Sequence, residues 1–374
     1  MQLQELSSYK DVLYSCRFCP MCKPAAEVAN VTYTESHSTR GRALALWRIA
    51  NGYAELTPRD AELLYQSTLD SISESWCINH FPVSSYVLSA RNMAFKKDFV
   101  PAPVKAAIKR EASPAPCPKG DTILLAAEAA ELETPALAEP AVKALEKIGV
   151  KAPAYAVMTG LLAFKLGDFD GARRQAEGVV RALETAGVKR IITDGANGLL
   201  ALRKIYPLLG VPVPEGIQIE YLAEVLAAKA AGNVTLKAVS GKTKVYIHDS
   251  RAACHLADEM SSDEAYKPEL DGNELLLGKG EIYESVRNIA DAAGLNRVFG
   301  VWSRALSKSS GADDGLWITY PEIAKKLASS KLDYVLSLGA EIIVTEDLLS
   351  AEILKKAREE KSIPMPILWL PELF

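Results

Sequence analysis

The chain has 374 residues, 49% of them hydrophobic and 24% charged, with a formal net charge of -4. That length exceeds what one hydrophobic core usually fills and predicts two or three domains, while the near-neutral balance removes any general electrostatic case for nucleic acid. Six cysteines are too few for a disulfide scaffold, and no apolar run reaches membrane-spanning length.

The opening MQLQELSSYKDVLYSC lacks the basic flank and apolar stretch of a secretion signal, so a soluble cytoplasmic protein without a direct membrane span is expected. Residues 1–97 mix short helical patterns with three cysteines set within seven residues. The stretch 98–121, rich in proline, lysine and small residues, reads as a linker.

Beyond it, short apolar runs alternate with amphipathic helices, predicting α/β layers on mainly parallel sheets. Strands are expected at 122–126, 190–193, 244–248, 297–301, 341–345 and 366–370. The clearest helix is 171–186, where Ala172, Ala176, Val179, Val180 and Leu183 share one face, Asp168 or Asp170 caps the start and Gly187 ends it. The stretches GVKRIITD (187–194) and GAEIIVTE (339–346) repeat one another, each a helix terminus, a buried strand and an acidic turn. They predict a duplicated α/β unit, 122–238 and 239–374, divided near 233–243.

Cys16, Cys19 and Cys22 form a C-x-x-C-x-x-C run. Thiolates at i, i+3 and i+6 wrap a tight loop around one point and suit three corners of an iron–sulfur cubane, whereas structural zinc usually takes two separated cysteine pairs. Close-set structural thiols would gain nothing over apolar residues in a core.

With these residues in view, nearly the whole chain resembles the iron–sulfur subunits of glycolate-oxidase and heterodisulfide-reductase type. In that family a two-cluster ferredoxin-like domain precedes a pair of cysteine-rich domains. The family's first run continues to a fourth cysteine followed by proline, then a glutamate and a Ser-Pro-Arg-Gly-Arg segment. Here Ala26 takes the fourth place, followed by Glu35 and Ser38-Thr39-Arg40-Gly41-Arg42. The second run keeps its spacing, with Ser67, Asp70 and Ser73 for the first three cysteines and Cys77 for the last.

In two-cluster ferredoxins the fourth cysteine of each run ligates the other run's cluster. The resemblance therefore implies Cys16, Cys19, Cys22 and Cys77 as one complete ligand set for a single [4Fe-4S] cluster, and Ala26, Ser67, Asp70 and Ser73 as a vacated one. It also implies the fold class: an α/β protein with a small, mainly helical ferredoxin-like N-terminal domain, then two duplicated α/β domains of cysteine-rich (Cys-Cys-Gly) type.

Those C-terminal domains are degenerate. The first Cys-Cys-Gly place reads Met158-Thr159-Gly160, the later cysteine pair reads Gly195 and Gly198, and the second motif reads Ser309-Ser310-Gly311-Ala312-Asp313-Asp314-Gly315. Without thiolates, disulfide reduction there is not expected. Asp313 and Asp314 read as solvated caps at a turn. His248-Asp249 followed by Cys254-His255 is similar to a family His-Asp-Pro-Cys-His turn with its cysteine displaced by three residues, which suggests metal or thiol chemistry, but a small buried cysteine and a histidine capping a strand end is the stronger reading. Cys117, beside two prolines, reads as incidental. His37, His80, Arg40 and Arg42 are candidates for tuning a cluster, or are surface groups. The glycines at 160, 167 and 311–315 lack the strand–turn–helix context of a phosphate cradle.

The expected function is electron relay through one [4Fe-4S] cluster, as a non-catalytic subunit of a heterodisulfide-reductase-like anaerobic redox complex. Flavoprotein or other iron–sulfur subunits are the expected partners. A scaffold with structural metal, or residual disulfide or thioester chemistry, stand as alternatives.

Overall fold

A computed structural model describes residues 4–110, 116–230, 243–257, 269–271, 274–276 and 281–374. The expected domain boundary falls at 233–243, and all of it but residue 243 lies outside these. The chain divides into two compact units: the first comprises residues 1–110, 162–171 and 308–331, the second 111–161, 172–307 and 332–374.

The first unit is helical, with no strand among its described residues. Ser38 starts the helix Thr39–Ala50 by accepting the Gly41 N–H, and Gly41 has no side chain because a Cβ there would lie 2.5 Å from the Glu35 carbonyl. Thr57 and Asp60 cap Pro58–Tyr65 reciprocally, with Pro58 in the first turn. Further helices run over Lys10–Cys16, Ser71–Trp76 and Val83–Lys96. Within the stretch read as a linker, Ala102–Ile108 is helical and buries Val104 and Ala107. Alanine and valine at that spacing supply an apolar stripe between the prolines.

The segments returning late in the chain complete this unit. Val28 packs with Leu316, Ala324 and Leu327. The buried Arg91 guanidinium donates to the Lys165 carbonyl at 2.8 Å, and the Tyr65 hydroxyl to that of Leu166 at 3.0 Å.

The second unit carries two parallel four-stranded sheets. The first contains β1 (Thr122–Leu125), β2 (Ala154–Tyr155), β3 (Arg190–Thr193) and β4 (Gln218–Tyr221) in the order β2-β1-β3-β4. β5 (Lys244–His248) opens the second half, followed by a two-stranded antiparallel ribbon, β6 (Glu269–Asp271) and β7 (Glu274–Leu276). The second sheet then adds β8 (Asn296–Arg297), β9 (Ile342–Thr345) and β10 (Ile367–Trp369), in the order β10-β9-β5-β8.

Counted within each half, the two orders are the same. Leu125 pairs with Thr193 as His248 pairs with Thr345, which brings the repeated strands into equivalent places. Central strands covered on both faces explain why β1, β3 and β9 read as unbroken apolar runs. The expected strand at 297–301 shrinks to two residues, and a Cβ on Gly300 would lie 2.0 Å from the Tyr334 hydroxyl oxygen. β2 and β4 were not legible: one is two residues long, and the other is an edge strand of mixed polarity. No helix among the described residues is long and apolar enough to cross a membrane.

A candidate cysteine site and a carboxylate network

Cys16 closes the helix Lys10–Cys16, and Cys19 turns back on it through a 3.1 Å hydrogen bond from its N–H to the Cys16 carbonyl. Cys22 precedes a short 3-10 turn, and Cys77 follows the helix Ser71–Trp76 in extended conformation. The indole N–H of Trp76 donates to the Met21 carbonyl at 3.0 Å, tying the Cys77 helix to the cysteine loop. All four cysteines, Cys16, Cys19, Cys22 and Cys77, are unbridged and line one pocket.

Hydroxyls stand near the sulfurs. The Tyr86 hydroxyl lies 3.5 Å from Cys16 Sγ, and beside Cys22 the Thr39 hydroxyl donates to that of Ser73 at 2.7 Å, both lining the pocket. Burial pushes the Cys16 thiol up to about 12, with smaller upward contributions from the other three cysteines. Burial also raises Cys22, with the nearby Thr39 and Ser73 hydroxyls acting in the opposite direction. As free thiols these side chains are neutral, and a bound cation of sufficient charge would displace their protons.

Among the described residues, no group of three or more histidine, cysteine or acidic side chains is disposed to hold a single metal ion. One zinc needs every sulfur about 2.3 Å from a common point. A cubane spreads its ligands over four irons and needs a wider ring of sulfurs facing one space. Four thiols lining one pocket, with the Tyr86 hydroxyl beside one sulfur, fit that group by the chemistry of the donors.

The remaining sequence candidates have other partners. Asp70 is clamped by Arg42 Nη1 at 2.8 and 2.9 Å, while Arg42 also donates to the carbonyls of His37, Leu63 and Gln66. Arg91 donates to the Ser67 hydroxyl and carbonyl, and Ala26 is buried. Ser73 departs from the vacated set, since it lines the cysteine pocket. His37 is held between Thr32 and Gln66, and its pKa is lowered by burial and then by Arg42. Arg40 pairs with Glu35 at the surface.

Sequence reasoning missed Tyr86, which comes from 70 residues away with no motif to mark it. Asp313 and Asp314 are not solvated. Both are buried, and Asp314 adopts a left-handed φ of 56° and pairs with Lys165 at 3.2 Å. The segment 309–315 serves as a turn, the Ser309 and Ser310 hydroxyls accepting the N–H groups of Gly311 and Ala312. Cys254 is buried and donates to the Ser250 and Arg304 carbonyls, as a small structural thiol would.

The second unit holds a network that the acidic turns only hinted at. Asp194, after β3, accepts the Ala127 and Glu128 N–H groups at 3.2 and 3.1 Å. Glu346, after β9, accepts the Ser250 N–H at 2.9 Å. These are equivalent caps in the two halves. Asp347 caps the helix Leu348–Glu360, and Glu128 accepts the Leu348 N–H at 2.6 Å. The Asn197 amide donates to both Glu128 and Asp347, at 3.1 and 2.9 Å. Burial raises the pKa of Glu128, Asp194 and Glu346, the last to about 8. No lysine or arginine pairs with these four carboxylates among the described residues.

No protein-family profile and no curated protein matches the chain. Among solved structures it is similar to a protein described as hypothetical, from Helicobacter pylori, at 14% identity and a TM-score of 0.59, over 90% of this chain and 66% of that one. At that identity the likeness concerns the fold alone: an α/β protein with parallel sheets.

Proposed function

We propose that the chain is an electron-transfer iron–sulfur subunit that holds one [4Fe-4S] cluster through Cys16, Cys19, Cys22 and Cys77. It would serve in a cytoplasmic, heterodisulfide-reductase-like redox complex with flavoprotein or other iron–sulfur subunits as partners. The observation that carries this reading is that Cys77, remote in sequence, lines the same pocket as the C-x-x-C-x-x-C run.

Bound there, the cluster would supply reversible one-electron transfer. The chain's own part is to present four sulfurs, to limit water through Val83 and Phe81 in the wall, and to direct the Tyr86 hydroxyl at Cys16. Such hydrogen bonds favour the more negative state of a thiolate-ligated group and so raise its potential. The degenerate C-terminal motifs, spent on turns and buried ion pairs, argue for relay over disulfide catalysis.

Anaerobic reconstitution with iron and sulfide should give about four irons per chain and a reducible EPR signal. A colourless protein after that treatment, or one that binds zinc alone, would overturn the proposal in favour of a scaffold.

A further inference from the structure

We infer that the seam between the two halves of the second unit is a proton-held latch: Glu128 bridges the halves as a neutral carboxylic acid, and its ionisation opens the seam to water. The inference is independent of the cysteine site. Glu128 sits in the short helix Ala127–Glu131 that follows β1, in the first half. Its Oε1 accepts the Asn197 amide at 3.1 Å, and its Oε2 reaches across the seam to accept the Leu348 N–H at 2.6 Å. The same Asn197 nitrogen also crosses, donating to Asp347 Oδ2 at 2.9 Å. The start of the helix Leu348–Glu360 is thereby tied to the first half through one carboxyl and one amide.

Closure leaves no counter-charge at this point. Glu128 is fully buried, and the titratable groups around it are Asp194 after β3, Glu346 and Asp347 after β9, and Tyr221 at the end of β4. Beyond them Asp249 is engaged by Arg287 at 2.8 Å, and the His248 ring nitrogens bond Ser350 and Ser307. A buried charge without a partner costs far more than a neutral acid, and adjacent carboxylates add repulsion. A proton therefore takes the place of the missing cation. Burial, then Asp347 and Asp194, hold the Glu128 carboxyl well above the usual range.

The closed seam has no room to hydrate the ion. Gly195 backs the carboxyl so closely that a Cβ would lie 2.1 Å from Glu128 Oε1. Tyr221 pairs in register with Thr193, one residue before Asp194, and its buried hydroxyl has no hydrogen-bond partner. That unused donor is a first partner for entering water. Elsewhere Lys147 Nζ donates to the Phe374 carbonyl at 2.6 Å and keeps the halves joined, so the opening is local. Because the closed form holds the proton more tightly than the hydrated one, closure is favoured at low pH and weakens as pH rises. Asp194, which burial holds up to about 7, loses its proton in the same range and adds to the repulsion.

The test is amide hydrogen exchange on the full-length chain from pH 6 to 9, each rate divided by its intrinsic base-catalysed value. Protection of the Leu348 amide should fall about tenfold further than that of Ile192 inside β3, which separates local opening from global unfolding. Glu128→Gln cannot ionise and should bring the two responses within about twofold of each other. Infrared difference spectra of the wild type should show a carboxylic-acid C=O band that disappears over the same pH range and is missing from Glu128→Gln. A Leu348 amide that tracks Ile192 in the wild type would overturn the latch without any variant, as would a Glu128→Gln chain that keeps the excess loss.

Discussion

Four acid-capable side chains gather in the cysteine pocket, and four more in the carboxylate network of the second unit. The carboxylates are met by backbone N–H groups at helix N-termini and by the Asn197 amide, so their acceptor groups are already engaged. Among the described residues, the one hydrogen-bond contact to a thiol of the pocket is the Tyr86 hydroxyl at Cys16. Buried polar groups cost least when fully bonded within the protein. One group of acids is thus part of the scaffold, while the other has donor capacity left over for an external ligand.

Replacing Cys77 with serine tests the contrast hardest. Iron content should drop from about four per chain to near zero, while circular dichroism keeps the helical signal. Retention of full iron would remove Cys77 from the site.

Asp70 stands between the two cases, a buried carboxylate neutralised by Arg42. Asp70→Asn leaves that guanidinium uncompensated and should cost about 3–5 kcal/mol in denaturant unfolding. Gly195→Ala tests the network. A Cβ there would lie 2.1 Å from Glu128 Oε1, so a loss of about 1–3 kcal/mol is expected, diminished when Glu128 is also shortened to alanine.

The network should also make stability depend on pH. Glu346 keeps its proton in the folded protein up to about 8, against an ordinary value of 4.5, because it is buried. The folded state then binds more protons than the unfolded chain between those values. The contribution of Glu346 is full below 4.5 and is lost as pH rises through 8. Urea midpoints should decline over that window, and Glu346→Gln should flatten the decline. The smallest effect expected is at Tyr86. Its phenylalanine variant should lower the cluster potential by a few tens of millivolts in an EPR titration, on a scale where about 59 mV is tenfold for one electron.

Much of the scaffold was legible because its central strands are short, buried on both faces and repeated. The strands 190–193 and 244–248 appear with the expected bounds. The cysteine pocket was legible through spacing and family resemblance together. Its hydroxyl lining was not, since Tyr86 and Thr39 reach it through tertiary packing that leaves no local period. Asp314 was misread for the same reason: an acidic pair in a glycine turn has the composition of a solvated loop, and only the approach of Lys165 makes it a buried ion pair. The carboxylate network could be glimpsed in the repeated Thr193-Asp194 and Thr345-Glu346, but Glu128 and Asn197 carry no signature.

The first unit is assembled from three separated stretches of chain, and this bears on the order of events during synthesis. When residues 1–110 have left the ribosome, Arg91 still lacks the Lys165 carbonyl, and Glu27 lacks the Ser309 N–H that it accepts at 2.8 Å. Val28 has no Leu316 or Leu327 to pack against. From residue 110 to 331 is 221 further residues, roughly 10 to 45 s at 5–20 residues per second. Throughout that interval the packing of residues 1–110 against the later stretches is incomplete, so an expressed fragment ending at residue 110 would be a poor substitute for the whole chain.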